Sequence, residues 1–200
     1  VYREKGMARR EGRGLFAARL LEVLPQLPVE EEGRLQDAAL RENFVERIFA
    51  YRRLRDCFRG RWTRRAAIAF HTAHKLQIMA HCPRSYAEMG RLVAAIKRMG
   101  PAGFRERYEA AFMGALAQRA TPGRNANVLQ HMAGYLRDGL DPSSRSELAE
   151  LIGEYRRGLV PLVVPLTLLR HHARRLQVEY LLGQVYLDPH PDELMLLNQL

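Results

Sequence analysis

Residues 37–58 read DAALRENFVERIFAYRRLRDCF, and from this point the sequence shows a sustained helical periodicity. Asp37 can cap a helix that runs to about Phe58, because a carboxylate at an N-cap accepts first-turn N–H groups. One stripe of this helix is apolar and is expected to face the core, and its members are Leu40, Phe44, Ile48 and Tyr51.

Further helix signals follow at short intervals. Thr63 can cap a second helix that ends at His81, before Cys82-Pro83. Residues 85–88 have the pattern of a capping box for a third helix, which reaches about Met99. More helices are predicted at residues 101–118, 125–140 and 142–157, with a last stretch at 161–187 that is bent or split near Pro165 and Gly183. About seven helices joined by short loops predict an all-α, antiparallel domain over residues 37–200.

Residues 1–36 have a different pattern. Val1–Lys5 resembles a strand end, residues 6–14 form a charged, glycine-rich loop, and residues 15–24 form a short helix that Pro25 ends. The apolar face of that helix comprises Phe16, Leu20, Leu21 and Leu24. An extended segment at residues 27–30 leads into a loop at residues 30–33. We interpret residues 1–36 as the closing part of an α/β domain and a linker, and expect the chain to be a fragment of a longer protein.

Composition narrows the class of protein. A hydrophobic fraction of 47% is enough to build a core, and no stretch resembles a membrane span or a secretory leader. The two cysteines, Cys57 and Cys82, form no CxxC pattern, which excludes a four-cysteine zinc or iron–sulfur site within this chain. Low cysteine usage fits a reducing compartment, so a cytoplasmic protein is expected.

The positive charge is concentrated in one segment. The chain has a net charge of +10, and residues 51–119 alone hold fifteen basic and four acidic residues. The densest part is a run of seven arginines, opposed only by Asp56: Arg52, Arg53, Arg55, Arg59, Arg61, Arg64 and Arg65. Such a run is either a solvated face or a surface for a polyanion, and arginine favours the polyanion because guanidinium groups bind phosphate in a bidentate manner. Phe58 and Trp62 are candidate stacking residues, although Trp62 can equally belong to the core.

Three histidines share one face of the second predicted helix. His71, His74 and His81 span nearly three turns, about 15 Å, so one metal ion cannot bind both ends of the stripe. The histidines are either buried hydrogen-bonding groups or the lining of a polyanion groove beside Lys75. His131 and Tyr135, one turn apart, form a second candidate of that kind. No phosphate-binding glycine loop and no GxSxG nucleophile motif occurs.

Several separated motifs resemble the bacterial YbgA family over about residues 47–200. They are Phe70-His71-x-x-His74-Lys75-Leu76, Met79-Ala80-His81, Tyr86 with Gly90-x-Leu92-Val93, His131-Met132-x-Gly134-Tyr135-Leu136, Tyr155-Arg156-x-Gly158 with Pro161-Leu162, and Tyr180-Leu181-x-x-Gln184-x-Tyr186-Leu187-x-Pro189-His190-Pro191-x-Glu193-Leu194. His190 departs from the family pattern, which has an aromatic residue there.

The N-terminal part has a resemblance of its own. Val1-Tyr2, Gly12-x-Gly14-x-Phe16-Ala17 and residues 27–35 resemble the closing segment of thiouracil desulfidase domains, and residues 37–44 resemble the connection in desulfidase–YbgA fusions. The resemblance implies an iron–sulfur cluster in an upstream domain, with no cofactor and no catalytic residue in this chain. It also implies that the substrate is 4-thiouridine in transfer RNA and that the YbgA part holds the RNA.

The predicted function is therefore that of a transfer-RNA-binding accessory domain of a thiouridine desulfidase, with that upstream domain as its partner. The predicted RNA-binding residues are the seven arginines above together with His71, His74, Lys75, Arg84, Arg91, His131 and Tyr135. The alternatives are an independent enzyme or metal-binding domain that uses the histidine stripe, a DNA-binding domain, and a structural or dimerisation module.

Overall fold

A computed structural model describes residues 2–4, 7–9, 14–191, 194 and 196–198 of the chain. A two-stranded antiparallel hairpin, β1 (Tyr2–Glu4) and β2 (Met7–Arg9), precedes the helices. The helices are α1 (Leu15–Val23), α2 (Ala38–Cys57), α3 (Arg64–His81), α4 (Pro83–Ala94), α5 (Pro101–Leu116), α6 (Pro122–Leu136), α7 (Pro142–Arg156), α8 (Val163–Arg175) and α9 (Glu179–Leu182). Short 3-10 turns lie at Glu32–Gln36, Ile96–Arg98, Arg137–Gly139, Val185–Leu187 and Leu196–Asn198. The prediction of an all-α domain is confirmed.

Local capping signals place most helix starts. Asp37 accepts hydrogen bonds from the N–H groups of residues 39 and 40, and Thr63 accepts one from residue 66, as predicted. The predicted start of α4 is wrong: Cys82 is its N-cap and accepts from the N–H of Ser85, so the helix begins at Pro83. Proline is favoured in the first turn because it has no N–H to leave unpaired, and this preference outweighs the capping box at Ser85.

The core consists of two hydrophobic clusters that share α3. One cluster joins α3 with α2, α4 and α5, and is rich in aromatic side chains such as Phe58, Phe104 and Phe112. The other joins α3 with α6, α7, α8 and the C-terminal turns, and is mostly aliphatic. Ile78 packs in the first cluster, whereas Leu76 and Ala80 pack in the second. Because α3 has buried faces on both sides, it is the central helix of the domain.

The buried face of α2 differs from the predicted stripe. Ile48 is 42% exposed, and the buried residues of the helix are Asn43, Ala50 and Leu54. The side chain of Asn43 donates to the carbonyl of Leu116 at 3.0 Å, which satisfies its amide in the interior. A polar residue with a partner in the fold can thus occupy the inner face, whereas Leu40, Phe44 and Tyr51 of the predicted stripe are only partly buried.

The C-terminal stretch is broken at Gln177. This residue has φ = 52°, the left-handed region that ends a helix, and it separates α8 from α9. The predicted bend at Pro165 is absent, since Pro165 lies in the first turn of α8, where proline is tolerated. Within the described part of the chain, the helices include none with the length and apolar character that crossing a membrane requires.

The N-terminal segments pack little against the domain. Helix α1 matches its prediction, yet none of its residues is buried, and Leu15 and Phe16 are more than four-fifths exposed. Met7–Arg9, predicted as loop, pairs with Tyr2–Glu4 because strand pairing depends on a partner segment rather than on local pattern. The proposed boundary between residues 36 and 37 stays a prediction.

Candidate nucleic-acid interface

Five of the predicted arginines converge where α2 meets α3. Arg55 lies in the last turn of α2, Arg59 and Arg61 in the connecting loop, and Arg64 and Arg65 in the first turn of α3. All five are exposed, and among the described residues none of them has an acidic partner. We call these five residues the arginine junction. Unpaired guanidinium groups gathered on one rigid turn can bind the phosphates of a polyanion.

Aromatic packing fixes the shape of the junction. Phe58 is fully buried, and Trp62 contacts it edge to face with ring centroids 5.0 Å apart. Trp62 also packs against Phe104 of α5 at 5.6 Å. The prediction that Phe58 could stack on a base is wrong, because its ring is buried. Trp62 is half-buried, and its packing on Phe58 and Phe104 anchors the loop. The arginines therefore project from a turn whose backbone is held by the core.

The partial positive charge at the N-terminus of α3 adds to the charge of the arginine junction, so a bound anion is favoured there. Arg64 and Arg65 occupy the first turn of α3, where the partial positive charge of the helix disfavours cations by about 0.3–1 kcal/mol each. Acidic residues, which this position favours, are absent from the first turn. A phosphate bound there would offset the repulsion between the two arginines and the helix N-terminus, and it would accept hydrogen bonds from the N–H groups at the start of the helix.

Two further exposed cations, which the sequence pattern did not single out, precede α5, the helix that packs against Trp62. Lys97 and Arg98 are exposed in the 3-10 turn that leads into α5, close in sequence to Phe104, the partner of Trp62. Ile96 of the same turn is buried in the cluster that contains Phe58. The sequence signal for them is the Lys-Arg pair before the helix start at Gly100-Pro101, inside the basic segment.

Three other predicted arginines are exposed outside the junction. Arg52 pairs with Asp56 at 2.8 Å and Arg84 with Glu88 at 3.0 Å, each across one helical turn. These ion pairs partly neutralise the two residues, although exposed pairs are weak enough to open for a ligand. Arg91 is exposed on α4.

Arg53 does not belong to the interface. Its guanidinium donates to the carbonyl oxygen of Pro189 at 3.0 Å and to Nε2 of His74 at 3.3 Å, so it holds the C-terminal segment on α2 and α3. Burial lowers the pKa of Arg53, and the Glu46 carboxylate opposes this shift. The structure corrects the prediction: Arg53 is a structural residue because its donors are used within the fold.

The prediction that His71 and His74 bind RNA is also wrong. Both are buried, with His71 Nδ1 hydrogen-bonded to the Tyr108 hydroxyl at 3.2 Å. His74 Nδ1–H donates to the carbonyl of Phe70 at 2.7 Å, which leaves Nε2 to accept from Arg53. Burial lowers the pKa of His71 to about 4, with help from Lys75, and that of His74 to about 3. Both rings are neutral hydrogen-bonding groups of the core and present no surface to RNA.

His81 belongs to a buried ion pair. Its Nδ1 donates to the carbonyl of Gln118 at 2.6 Å and its Nε2 to the carboxylate of Glu46 at 3.0 Å, so both nitrogens carry protons. Burial alone would lower the pKa of His81, but the Glu46 carboxylate raises it. Gln77 donates to the other oxygen of Glu46 at 2.8 Å. Burial and the charge of Glu46 raise the pKa of Glu42, one turn away, to about 7.

His131 and Tyr135 form a second, separate surface on α6. Both are exposed, and the edge of one ring meets the face of the other with centroids 5.4 Å apart. Tyr135 also contacts Tyr180 of α9 at 4.7 Å, a contact that the sequence does not reveal. Lys75 is half-buried on α3.

A metal centre and an open groove are the other kinds of site that the fold could provide. In the described part of the chain, His, Cys, Asp and Glu side chains form no group of three that could hold a metal ion. An open groove of about 270 Å³ lies between α6 and α7, with an apolar floor that includes Leu148 and Ile152 and with Arg137 and Arg145 among its lining residues.

The chain is similar to a family model and to a bacterial protein. The family model described as "Protein of unknown function (DUF1722)" matches residues 75–191, a range that contains Tyr135 and Tyr180 and begins after the arginine junction. "Uncharacterized protein YbgA" of Escherichia coli (strain K12) is 34% identical over 146 residues, which cover 72% of this chain and 86% of the relative. No solved structure gives a significant match.

Proposed function

The chain belongs to the family described as a protein of unknown function (DUF1722), and we propose that this member binds transfer RNA through the arginine junction. Membership confirms the predicted YbgA-type helical domain. The family description names no ligand, so the ligand is inferred from the residues on the surface of the domain. The single observation that carries the proposal is the grouping on one anchored turn of five exposed arginines that have no acidic partner within the described ranges.

The distribution of charge over the fold supports the proposal. The basic segment, residues 51–119, comprises the end of α2 together with α3, α4 and α5, which surround the aromatic core cluster. Residues 120–200, which build most of the aliphatic cluster, hold eight basic and nine acidic residues. One half of the domain is thus strongly cationic and the other is nearly neutral. Such an asymmetry orients a polyanion toward one side of the molecule.

The finer part of the proposal rests on the resemblance of residues 1–36 to desulfidase domains. In this proposal the helical domain holds thiolated transfer RNA while an upstream domain with an iron–sulfur cluster removes sulfur from 4-thiouridine. The complete reading frame tests this part: cysteines of a desulfidase domain are expected upstream of Val1, and an unrelated upstream sequence would contradict it.

Two variants that each lose four positive charges, one at the arginine junction and one elsewhere, test RNA binding. The junction variant replaces four arginines together by Gln: Arg59, Arg61, Arg64 and Arg65. We expect it to bind transfer RNA more weakly and to reduce the magnitude of the slope of log affinity against log salt by about 3. The control replaces Arg137, Arg145, Arg174 and Arg175 by Gln, which removes the same charge from exposed sites in the other half.

Gel-shift titrations of both variants between about 50 and 200 mM salt separate the outcomes. A loss confined to the junction variant supports the proposal. Equal losses in the two variants would show a diffuse charge effect and contradict it. Competition with duplex DNA of similar length then distinguishes RNA from DNA as the preferred polyanion, because a phosphate-directed patch by itself binds both.

A further inference from the structure

Tyr135 and Tyr180 form an exposed aromatic surface, which we call the tyrosine platform. Tyr135 is 47% exposed although its ring is large and apolar. Its ring lies 4.7 Å from that of Tyr180 with an angle of 35° between the planes, and the ring of His131 lies nearly perpendicular to it with centroids 5.4 Å apart. The rings come from two elements, α6 and α9, so the tertiary fold assembles the platform.

The platform is anchored on its inner side. Tyr180 is half-buried and packs against the aliphatic core cluster. Burial and the neighbouring Tyr135 raise the pKa of Tyr180 to about 12, and its hydroxyl is neutral at physiological pH, as that of an ordinary tyrosine is. A fixed inner ring and an accessible outer ring provide an uncharged π-face that is held in place, as stacking of a planar ligand requires.

A hydrogen-bonded link places the platform beside α3. The side chain of Gln184 donates to the carbonyl of Thr72 in α3 at 2.9 Å and to that of Tyr180 at 3.3 Å. Thr72 lies on the face of α3 that also carries Arg65 and Lys75, because these residues are spaced by seven and three positions. Arg65 belongs to the arginine junction, and ten residues of helix separate it from Lys75 by about 15 Å.

Gln184 thus joins the segment that carries Tyr180 to α3, the helix whose first turn contributes Arg64 and Arg65 to the arginine junction. We propose that the tyrosine platform stacks an unpaired nucleobase of the RNA whose phosphates the arginine junction holds. This inference rests on the proposed RNA binding. Stacking suits an unpaired base because its π-face is free, whereas a base inside a duplex is covered by its neighbours.

The test compares a short single-stranded RNA with the blunt duplex that it forms with its complement. Tyr135→Ala is expected to weaken binding of the single strand by about 5- to 150-fold, the range for loss of one base–aromatic stack. Binding of the duplex should change by less than about twofold. Tyr135→Phe is the matched control, since it keeps the ring, and it should bind both RNAs like the wild type.

Each outcome has a distinct meaning. Equal effects of Tyr135→Ala on the two RNAs, or no effect on either, would overturn the stacking inference while leaving the arginine junction intact. Failure of the unmodified protein to bind transfer RNA would overturn the proposed function and the inference with it, whereas failure to bind the short single strand while transfer RNA is bound would overturn the inference alone. Circular dichroism of Tyr135→Ala checks the fold, which an exposed side chain should not alter.

Discussion

Two glutamates one turn apart on α2 should respond to the same substitution with opposite signs. Glu42 has a pKa raised to about 7 from an ordinary value of 4.5, by burial and by the charge of Glu46. Glu46 has a lowered pKa: burial would raise it, but the ion pair with His81 and the hydrogen bond from Gln77 outweigh burial. We predict that Glu42→Gln stabilises the protein and that Glu46→Gln destabilises it.

The magnitude for Glu42 follows from linkage. A group whose folded pKa is raised contributes stability that is complete below its unfolded pKa and is lost as the pH rises through the folded value. Between a pKa of 4.5 and one of about 7, the ionised carboxyl of Glu42 costs the folded state about 3 kcal/mol at pH 8 and less than about 1 kcal/mol at pH 5. Glutamine cannot ionise, so Glu42→Gln should recover that difference.

The sign reverses for Glu46. Its lowered folded pKa contributes stability above the unfolded value, which is lost as the pH falls through the folded pKa. Glu46→Gln removes the carboxylate that pairs with the buried, protonated ring of His81 and leaves Glu42, one turn away, as its acidic neighbour. Removal of one partner of a buried pair costs up to about 3–5 kcal/mol.

Urea unfolding at pH 5 and pH 8 measures both effects. In thermal unfolding, Glu42→Gln should raise the Tm by about 6–12 °C at pH 8, given about 2–4 °C per kcal/mol for a chain of this size. An equal gain at both pH values would refute the assignment of a raised pKa to Glu42. Destabilisation by both substitutions would refute the distinction between the two carboxylates.

Two further predictions concern the backbone and the C-terminal segment. Arg53→Met should destabilise the protein by about 2 kcal/mol in urea unfolding, because it leaves acceptors on Pro189 and His74 unpaired, whereas Arg52→Met should cost less than about 1 kcal/mol. Equal costs would contradict the structural role of Arg53. Gly60→Ala should destabilise by about 1–2 kcal/mol because Gly60 has φ = 62°, whereas Gly90→Ala, within α4 and with open space around it, should stabilise by up to about 1 kcal/mol. Thermal unfolding of the two alanine variants checks the opposite signs, and a stabilised Gly60→Ala would contradict the strained turn.

The three histidines of α3 differ in protonation because burial gives each of them different neighbours. His71 and His74 stay neutral because burial opposes their protonation and the nearest charges, Lys75 and Arg53, are positive. His81 keeps a proton because Glu46 lies opposite it. The three residues look equivalent in the sequence, and their protonation differs only because α2 and α5 bring different partners to each.

The sequence by itself determined the helical class, most helix boundaries and the concentration of positive charge. Caps such as Asp37, Thr63 and Asp141 act on N–H groups within the next turn, and charge is a property of the residues alone. The five residues of the arginine junction are therefore recognisable in the sequence, as part of a run that also contains Arg52 and Arg53.

Only the tertiary structure decided which side chains are available for binding. It directed the guanidinium of Arg53 to acceptors within the fold, buried His71 and His74, packed Trp62 against Phe104, and joined Tyr135 to Tyr180 across 45 residues of chain. The physical reason is that burial and side-chain contact depend on the partner that each helix face meets. Periodicity gives the face of a helix, but not the element that packs against it.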